Sequence, residues 1–462
     1  MRRKAVLTAA AVLAAIGLSA TGANAQGFSV YEHDACAMGR AGAGVASPCA
    51  GGSAIFFNPA GIVTGQAGKW NVTSGVTMIP PRGSFTDSIS GLTTELVKST
   101  IPVPNVYITR QIGTKWAIGV GMFAPYGLTT EWPASFSGHF LSYKATIKGL
   151  YMQPTVAFRP NSMIQVGVGL DIVRAAVELH QYVELSGQTA IAATATTPAV
   201  TFAMLGVPVG TPFADARLKG TGNAIGAHFG IIVKPTESIS LGARYLTGVT
   251  IEGKGYAGFT AVPTGISLSS GNPFGQPART SLDAVVASQF TTGRLVGQTV
   301  AATIPFPSQL VLGAAVQVTP ALRVLGDVQF TNWKKFEYLP LTLGVIGADT
   351  LWEDYSNTTA IRAAVEYAVN PRLNLRGGFL RHGAAAPSAT VTPLLPEGAR
   401  HEFVVGAGYQ LNSGMRVDLA YQVITQQDRR GRVLKTPRGA DANTGLYKFS
   451  ANLFGASVAF AF

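Results

Sequence analysis

Several stretches late in the chain alternate apolar with polar or small residues. In 416–423, Val417, Leu419, Tyr421 and Val423 alternate with Arg416, Asp418, Ala420 and Gln422. In 402–411, Phe403, Val405, Ala407, Tyr409 and Leu411 alternate with Glu402, Val404, Gly406, Gly408 and Gln410. Stretches 322–330 and 361–369 repeat the pattern. A period of two is that of a β-strand with unlike faces. One face suits lipid and the other a polar lumen.

The connections also alternate. Short turns bearing Pro, Gly or Asn occur at 111–114, 159–162, 234–237, 318–320, 369–371 and 411–414. Such residues suit tight reversals. Long connections lie between them, near 80–101, 124–143, 184–215, 255–303, 334–357, 383–399 and 427–445. Six short turns and seven long loops give fourteen strands. These are expected at 66–79, 102–112, 115–124, 143–159, 163–183, 215–234, 237–255, 303–318, 321–334, 358–369, 372–383, 399–411, 414–426 and 446–462. An even count with loops sorted by length is the outer-membrane barrel pattern. In the last strand Tyr447 and Phe449 fall in one register and Phe454, Val458, Phe460 and Phe462 in the other, so a bulge is expected near Leu453.

Residues 36–62 break the pattern. They are rich in Gly, Ala and Ser, nearly uncharged, and periodic as neither helix nor strand. Small residues let backbones approach closely, which suits a coil packed inside a larger structure. The stretch ends in the turn signal Asn58-Pro59-Ala60-Gly61. The expected organisation is a signal peptide at 1–25, an N-terminal hatch or plug at 26–65 and an all-β transmembrane barrel at 66–462.

Composition supports this architecture. Charged residues make up 13% of the 462, against about 25% in soluble domains. Beyond the N-terminus no run of about 18 apolar residues offers a membrane helix, so a closed barrel is the remaining way to satisfy a backbone in lipid. Arg2, Arg3 and Lys4, an apolar core over 5–16 and Ala23-Asn24-Ala25 form the signal-peptide pattern. Removing it lowers the formal charge from +12 to +9, and the excess makes no basic run, so no nucleic-acid partner is expected. Cys36 and Cys49 both lie in the hatch stretch. An oxidising compartment favours a disulfide between them over two free thiols, and no His/Cys cluster completes a metal site.

Catalytic signals are absent. There is no nucleophile elbow and no H-E-x-x-H. Gly253-Lys254-Gly255-Tyr256-Ala257-Gly258 fits a dinucleotide pattern but precedes no helix. Asp327, Glu366, Glu402 and Asp418, beside Arg323, Arg362, Arg376 and Arg416, read as a structural charge network in the lumen. Two long loops are unusually apolar. Residues 185–214 carry no charge and include Phe202, Leu205 and Val207. Residues 255–303 carry Phe259, Phe274, Val285, Val286 and Phe290. Apolar external loops predict a hydrophobic binding groove, with mutual packing of the loops as the plain alternative.

The joint order of several motifs carries a family resemblance. GRAGAG and NPAG in the hatch stretch, APYGLTTEW (124–132), GLYMQPTVAFR (149–159), FPSQLVLGAA (306–315), FTNWKKF (330–336) and LPEGARHEFVVGAGY (395–409) resemble the FadL/OmpP1/TodX transporters of the Gram-negative outer membrane. The aromatic-terminated last strand is similar too. The resemblance implies a fourteen-stranded barrel and a hatch motif at Asn58, Pro59 and Ala60. It implies passive uptake of hydrophobic small molecules, foremost long-chain fatty acids, with aromatic hydrocarbons or a general porin as alternatives. Ligand would meet a groove between the third and fourth long loops, then a pocket above the hatch. It would leave sideways into membrane lipid through a kink in the third strand at Pro125, Tyr126 and Gly127. The ligand-binding candidates are Phe28, Phe202, Leu205, Val207, Arg174 and His180. Cys49 and the Phe56-Phe57 pair depart from the more polar hatch of the family. No enzyme activity, cofactor or metal is implied, and a monomer is expected.

Overall fold

The computed structural model describes residues 27–431 and 444–462; the expected signal peptide lies outside the described residues. Fourteen antiparallel wall strands make one closed sheet. Closure comes from the first strand, Trp70–Ile79, which pairs with Ile101–Ile112 on one side and with the last strand, Gly445–Ala461, on the other. No described helix is long and apolar enough to cross a membrane. Outward positions form an apolar belt that includes Val106, Ile108, Ile118, Val168, Leu170 and Leu312, all exposed.

Several wall strands outrun their sequence expectations. The third is Trp116–Glu131 rather than 115–124, and the sixth is Pro212–Thr236 rather than 215–234. The seventh continues through Val249–Ala261, and the eighth begins with Gln298–Phe306. Two expected loops hold paired strands, namely Pro81–Asp87 with Thr93–Glu95, and Tyr338–Leu343 with Gly347–Trp352. Above the membrane the outer face meets water and the inner face packs on loops, so the apolar–polar alternation fades. Gly258 falls in the expected loop but lies in the strand Val249–Ala261, and Gly255, at the expected strand end, faces Gly220, where a Cβ would collide with the Lys219 carbonyl oxygen.

The expected bulge near Leu453 is absent. The last strand keeps one register from Met415↔Phe460 to Thr425↔Ser450. Tyr447 is buried against Phe85, and Leu453 is buried against the N-terminal segment. Phe454 and Phe460 are exposed on the outside. The two aromatic sets need no register change, because the inner face itself becomes apolar toward the extracellular loops.

Residues 27–63 are buried almost throughout, among inward-facing side chains of the wall. They form two short helices, Ala35–Met38 and Ala54–Phe57, and a 3₁₀ turn, Pro59–Ile62. Asp34 organises the first helix by accepting from the Cys36 amide at 3.3 Å and from the hydroxyls of Ser53 and Ser457 at 2.6 and 2.7 Å. Cys36 and Cys49 are joined by a disulfide. Wall glycines make the room. A Cβ on Gly230 would lie 2.1 Å from Asn58 Oδ1, and one on Gly242 would lie 2.2 Å from the Val45 carbonyl oxygen. The glycines that interrupt the apolar pattern are therefore contact sites for the chain inside.

Charge binds the same segment to the wall. Asp327 accepts from the Gly44 and Val45 amides at 2.8 and 3.1 Å. Arg40 pairs with Glu366 at 2.6 Å. Arg376 bridges Glu366 and Asp418, each at 2.7 Å, and Arg416 meets Asp418 at 2.7 Å. The Arg362 and Arg244 guanidiniums lie 4.3 and 4.6 Å over the Tyr31 and Phe56 rings. The expected lumenal charge network is thus built partly around an arginine of the N-terminal segment.

Three outcomes test this packing. Gly230→Val is expected to insert as a heat-modifiable barrel while raising ion conductance in planar bilayers, since overpacking of about 1–3 kcal/mol falls on the Asn58 contact. Gly258→Ala, where a Cβ meets only Tyr256 at 3.7 Å, should leave conductance unchanged. Peptide mapping without reductant is expected to recover the Cys36 and Cys49 peptides joined.

Candidate functional site

The third wall strand changes register at its middle. Phe123 pairs with Tyr151, but the next assigned pair is Tyr126↔Gly149, so Ala124 and Pro125 hold one extra residue. Proline in a strand removes a ladder donor, and such bulges re-aim side chains. The inward set moves from Phe123 to Tyr126, both fully buried. On its other edge the strand loses its neighbour. The ladder with Ile101–Ile112 ends at Val106↔Met122. Contact returns near the top, where the Val97 amide donates to the Glu131 carbonyl at 2.8 Å.

The N-terminal segment occupies the edge left open. Ser29 makes an antiparallel bridge with Tyr126. The Val30 amide donates to the Pro125 carbonyl, and the Gly127 amide donates to the Phe28 carbonyl, both at 2.9 Å. Phe28, 2% exposed, then packs against Trp333, Phe336, Phe306 and Tyr126, with ring centroids 4.7, 5.2, 6.0 and 6.2 Å away. The Tyr126 hydroxyl donates to the Pro307 carbonyl at 2.6 Å and accepts from Gln309 at 2.9 Å.

Asn58 fixes the other end of the segment. Its Oδ1 accepts from the Ala60 amide at 3.1 Å, shaping the turn. The two Nδ2 hydrogens are shared among the Val45 carbonyl at 2.7 Å and the wall carbonyls of Ile231 and Ala243 at 3.0 and 3.2 Å. Pro59 fits at the first position of the 3₁₀ turn, where no donor is needed. An amide side chain can donate twice and accept, which Ala and Asp cannot reproduce.

Above the aromatic cluster lies an apolar cavity of about 70 Å³, lined by Ile147, Val177, Leu218, Ile251, Ile304 and Leu339 among others. These six side chains belong to one hydrophobic cluster with Phe28, Tyr126 and Trp333. A continuous apolar surface therefore runs from the cavity to the bulge. Behind Tyr126 sits Arg244, which donates to Gln309 at 3.2 Å and lies 3.4 Å from His228. Among the described residues no carboxylate lies within ion-pair distance of this buried cation. Asp171, also buried, has no hydrogen-bond partner among the described residues. Burial pushes the His33 imidazole of the N-terminal segment down to about 3, so it stays neutral.

The sequence candidates separate into groups. Phe28, Asn58, Pro59, Ala60, Pro125, Tyr126 and Gly127 come together through the N-terminal segment and the third strand. Phe202 and Val207 are buried in a second cluster, formed with Phe213, Leu282 and Val286 of the two apolar loops, while Leu205 is half-exposed. The loops pack on each other there around a small apolar core, as the plain alternative has it. Arg174 is corrected: alternation puts it outside, between Leu150 and Asn223 of the flanking strands. His180 does not line the cavity; it lies near the Tyr143 ring and pairs at 2.7 Å with Glu178, one of the residues at the cavity's edge. Arg244, Gln309, Phe306 and Trp333 were missed as site residues. Their signal was in the resembling motifs FPSQLVLGAA and FTNWKKF, which hold three of the four. Asp34, Cys36 and Cys49 cluster closely enough to suggest a metal, but the sulfurs are bonded to each other and the carboxylate is fully engaged.

Comparison with known proteins agrees with this geometry. A family model described as outer membrane protein transport protein (OMPP1/FadL/TodX) matches residues 16–462. Outer membrane protein P1 of Haemophilus influenzae is 23% identical over 96% of this chain and 97% of its own. The long-chain fatty acid transport protein of Escherichia coli K12 is 22% identical over the whole of both chains. A Pseudomonas aeruginosa FadL homologue superposes with a TM-score of 0.76 at 19% identity, covering 94% of this chain and 99% of that one. The Pseudomonas putida toluene transporter TodX superposes at 0.68 with 17% identity, covering 94% and 99%. The chain therefore belongs to the OMPP1/FadL/TodX family of Gram-negative outer-membrane proteins, which transport hydrophobic compounds and are not enzymes.

Proposed function

We propose that this barrel takes up long-chain fatty acids passively, with residues 26–65 as its hatch. Ligand passes from the apolar cavity to the bulge at Pro125, Tyr126 and Gly127 and leaves sideways into lipid. The observation that carries this reading is the edge of the third strand, which is paired to Phe28–Val30 instead of to the second strand. A segment held by two backbone hydrogen bonds and one aromatic side chain is displaceable, whereas a full ladder is not. Sideways exit is also favoured energetically, because each CH₂ moved from lipid to water costs about 0.8 kcal/mol. A general porin has no need of a filled lumen.

Arg244 supports a carboxylate ligand. It is a buried cation beside Tyr126, without an ion-pair partner among the described residues, and can meet an acid head group while the tail fills the cavity. A second reading, uptake of uncharged aromatic hydrocarbons, is favoured by the cavity itself, whose lining is overwhelmingly aliphatic and holds neither Arg174 nor His180.

Uptake assays in cells lacking other hydrophobe transporters separate these readings. Arg244→Gln is expected to lower oleate uptake at least about tenfold, the loss of one charge-assisted contact, and to leave toluene uptake unchanged. Equal loss of both substrates would remove the carboxylate role. Asn58→Ala and Gly127→Arg are each expected to assemble as heat-modifiable barrels and lose uptake. Normal uptake by folded Gly127→Arg would contradict the sideways route. Normal uptake by Asn58→Ala would remove the functional role of the hatch turn.

A further inference from the structure

We propose that the outer face of wall strands four to seven, at the extracellular edge of the apolar belt, binds the phosphates of an acylated glycolipid in the outer leaflet. The strands concerned are Lys144–Phe158, Ile164–Glu184, Pro212–Thr236 and Val249–Ala261. On the fourth strand the outward residues run from Phe158 through Val156, Pro154, Met152 and Leu150 to Lys148. Ten residues at about 3.3 Å each, tilted by about 40°, rise about 25 Å, which is the height of a barrel's apolar band. Trp116 packs on Phe158 at the periplasmic end, a ring pair of the kind that marks that interface. Lys148 therefore stands where the band gives way to head groups.

Cations stand along the same paired row on the neighbouring strands, a row that the strand tilt inclines to the membrane plane. Pairing aligns Lys148 with Ala176, Ala176 with Thr221, and Thr221 with Lys254. Arg174 lies one outward position below Ala176, between Leu150 and Asn223. Three strand spacings of about 4.8 Å separate Lys148 from Lys254, a span that long flexible side chains can close around a phosphorylated sugar.

The acidic groups of this face are largely engaged by other bases. Glu131 pairs with Lys144 at 3.2 Å, Glu178 with Lys219 at 3.3 Å and with His180 at 2.7 Å, and Asp215 with Arg217 at 2.9 Å. Glu252 is also exposed on this face, two residues from Lys254. Lys148, Arg174 and Lys254 have no carboxylate within 4.0 Å among the described residues. Cations at the margin of hydrocarbon cost little by themselves, and three of them without carboxylate partners attract anionic head groups. The outer leaflet of this membrane is made of phosphorylated glycolipid, which presents acyl chains to the belt and phosphate to this row. That charge complementarity selects the occupant.

The test uses the whole purified protein in detergent, with lipopolysaccharide as the probe and native mass spectrometry as the readout. The triple variant Lys148→Gln, Arg174→Gln, Lys254→Gln is expected to bind it about 100-fold more weakly, at about one unit of surface electrostatic energy per cation. Lys69→Gln, Arg110→Gln, Lys115→Gln, at the other rim, should bind as the parent does. Unchanged binding by the first triple variant would overturn the proposal. Should that variant fail to become heat-modifiable, the parent protein decides. Weaker binding of dephosphorylated lipopolysaccharide and of phosphatidylglycerol supports the site, and equal binding of either one overturns it.

Discussion

Every backbone amide and carbonyl at membrane depth needs a partner, and the rest of this structure follows from that constraint. Thirteen of the fourteen wall junctions meet it mainly with strand pairing. The junction between the second and third strands does not, because the third strand carries an extra residue at Ala124–Pro125 and parts from its neighbour after Met122. The N-terminal segment supplies two of the missing backbone hydrogen bonds at Pro125 and Gly127. The wall junction with the shortest ladder beside the bulge is thus completed by the N-terminal segment.

This arrangement couples two ends of the lumen. At one end Phe28–Val30 complete the third strand. At the other, Asn58 links the turn of the same segment to the Ile231 and Ala243 carbonyls of the wall. Between them, glycines in the wall and a bridge between Cys36 and Cys49 hold the segment compact. Arg40, Arg362 and Arg244 tie it further by charge and by contact with rings.

Much of the wall was legible in the sequence, because a strand between lipid and a polar lumen must alternate. Legibility failed where that two-sided environment ends. Above the membrane the strand runs on to Ala261, past the expected end at Gly255, and Gly258 looks like a loop residue although it lies in the wall. Tyr447 looked out of register although it faces an apolar upper lumen. The turn at Asn58 was legible from local chemistry, but its wall partners 173 and 185 residues away were not. Arg174 misled because a basic residue in a strand does not announce which face it occupies when its neighbours, Val173 and Ala175, are both apolar. Arg244 was overlooked for the converse reason: its value comes from Gln309, His228 and Tyr126, which only the closed barrel brings beside it.

The central claim is that Phe28–Val30 must leave the third strand before ligand can pass. Its most direct test is a reversible lock. Ser29→Cys with Tyr126→Cys places two thiols on paired positions of the bridge. Fatty-acid or hydrocarbon uptake is then measured after oxidation and again after reduction, beside the parent protein given the same treatments to account for Cys36–Cys49. The account predicts that the locked protein takes up nothing and that reduction restores the rate of the unlocked double variant. Uptake undiminished by a quantitatively formed lock would contradict it.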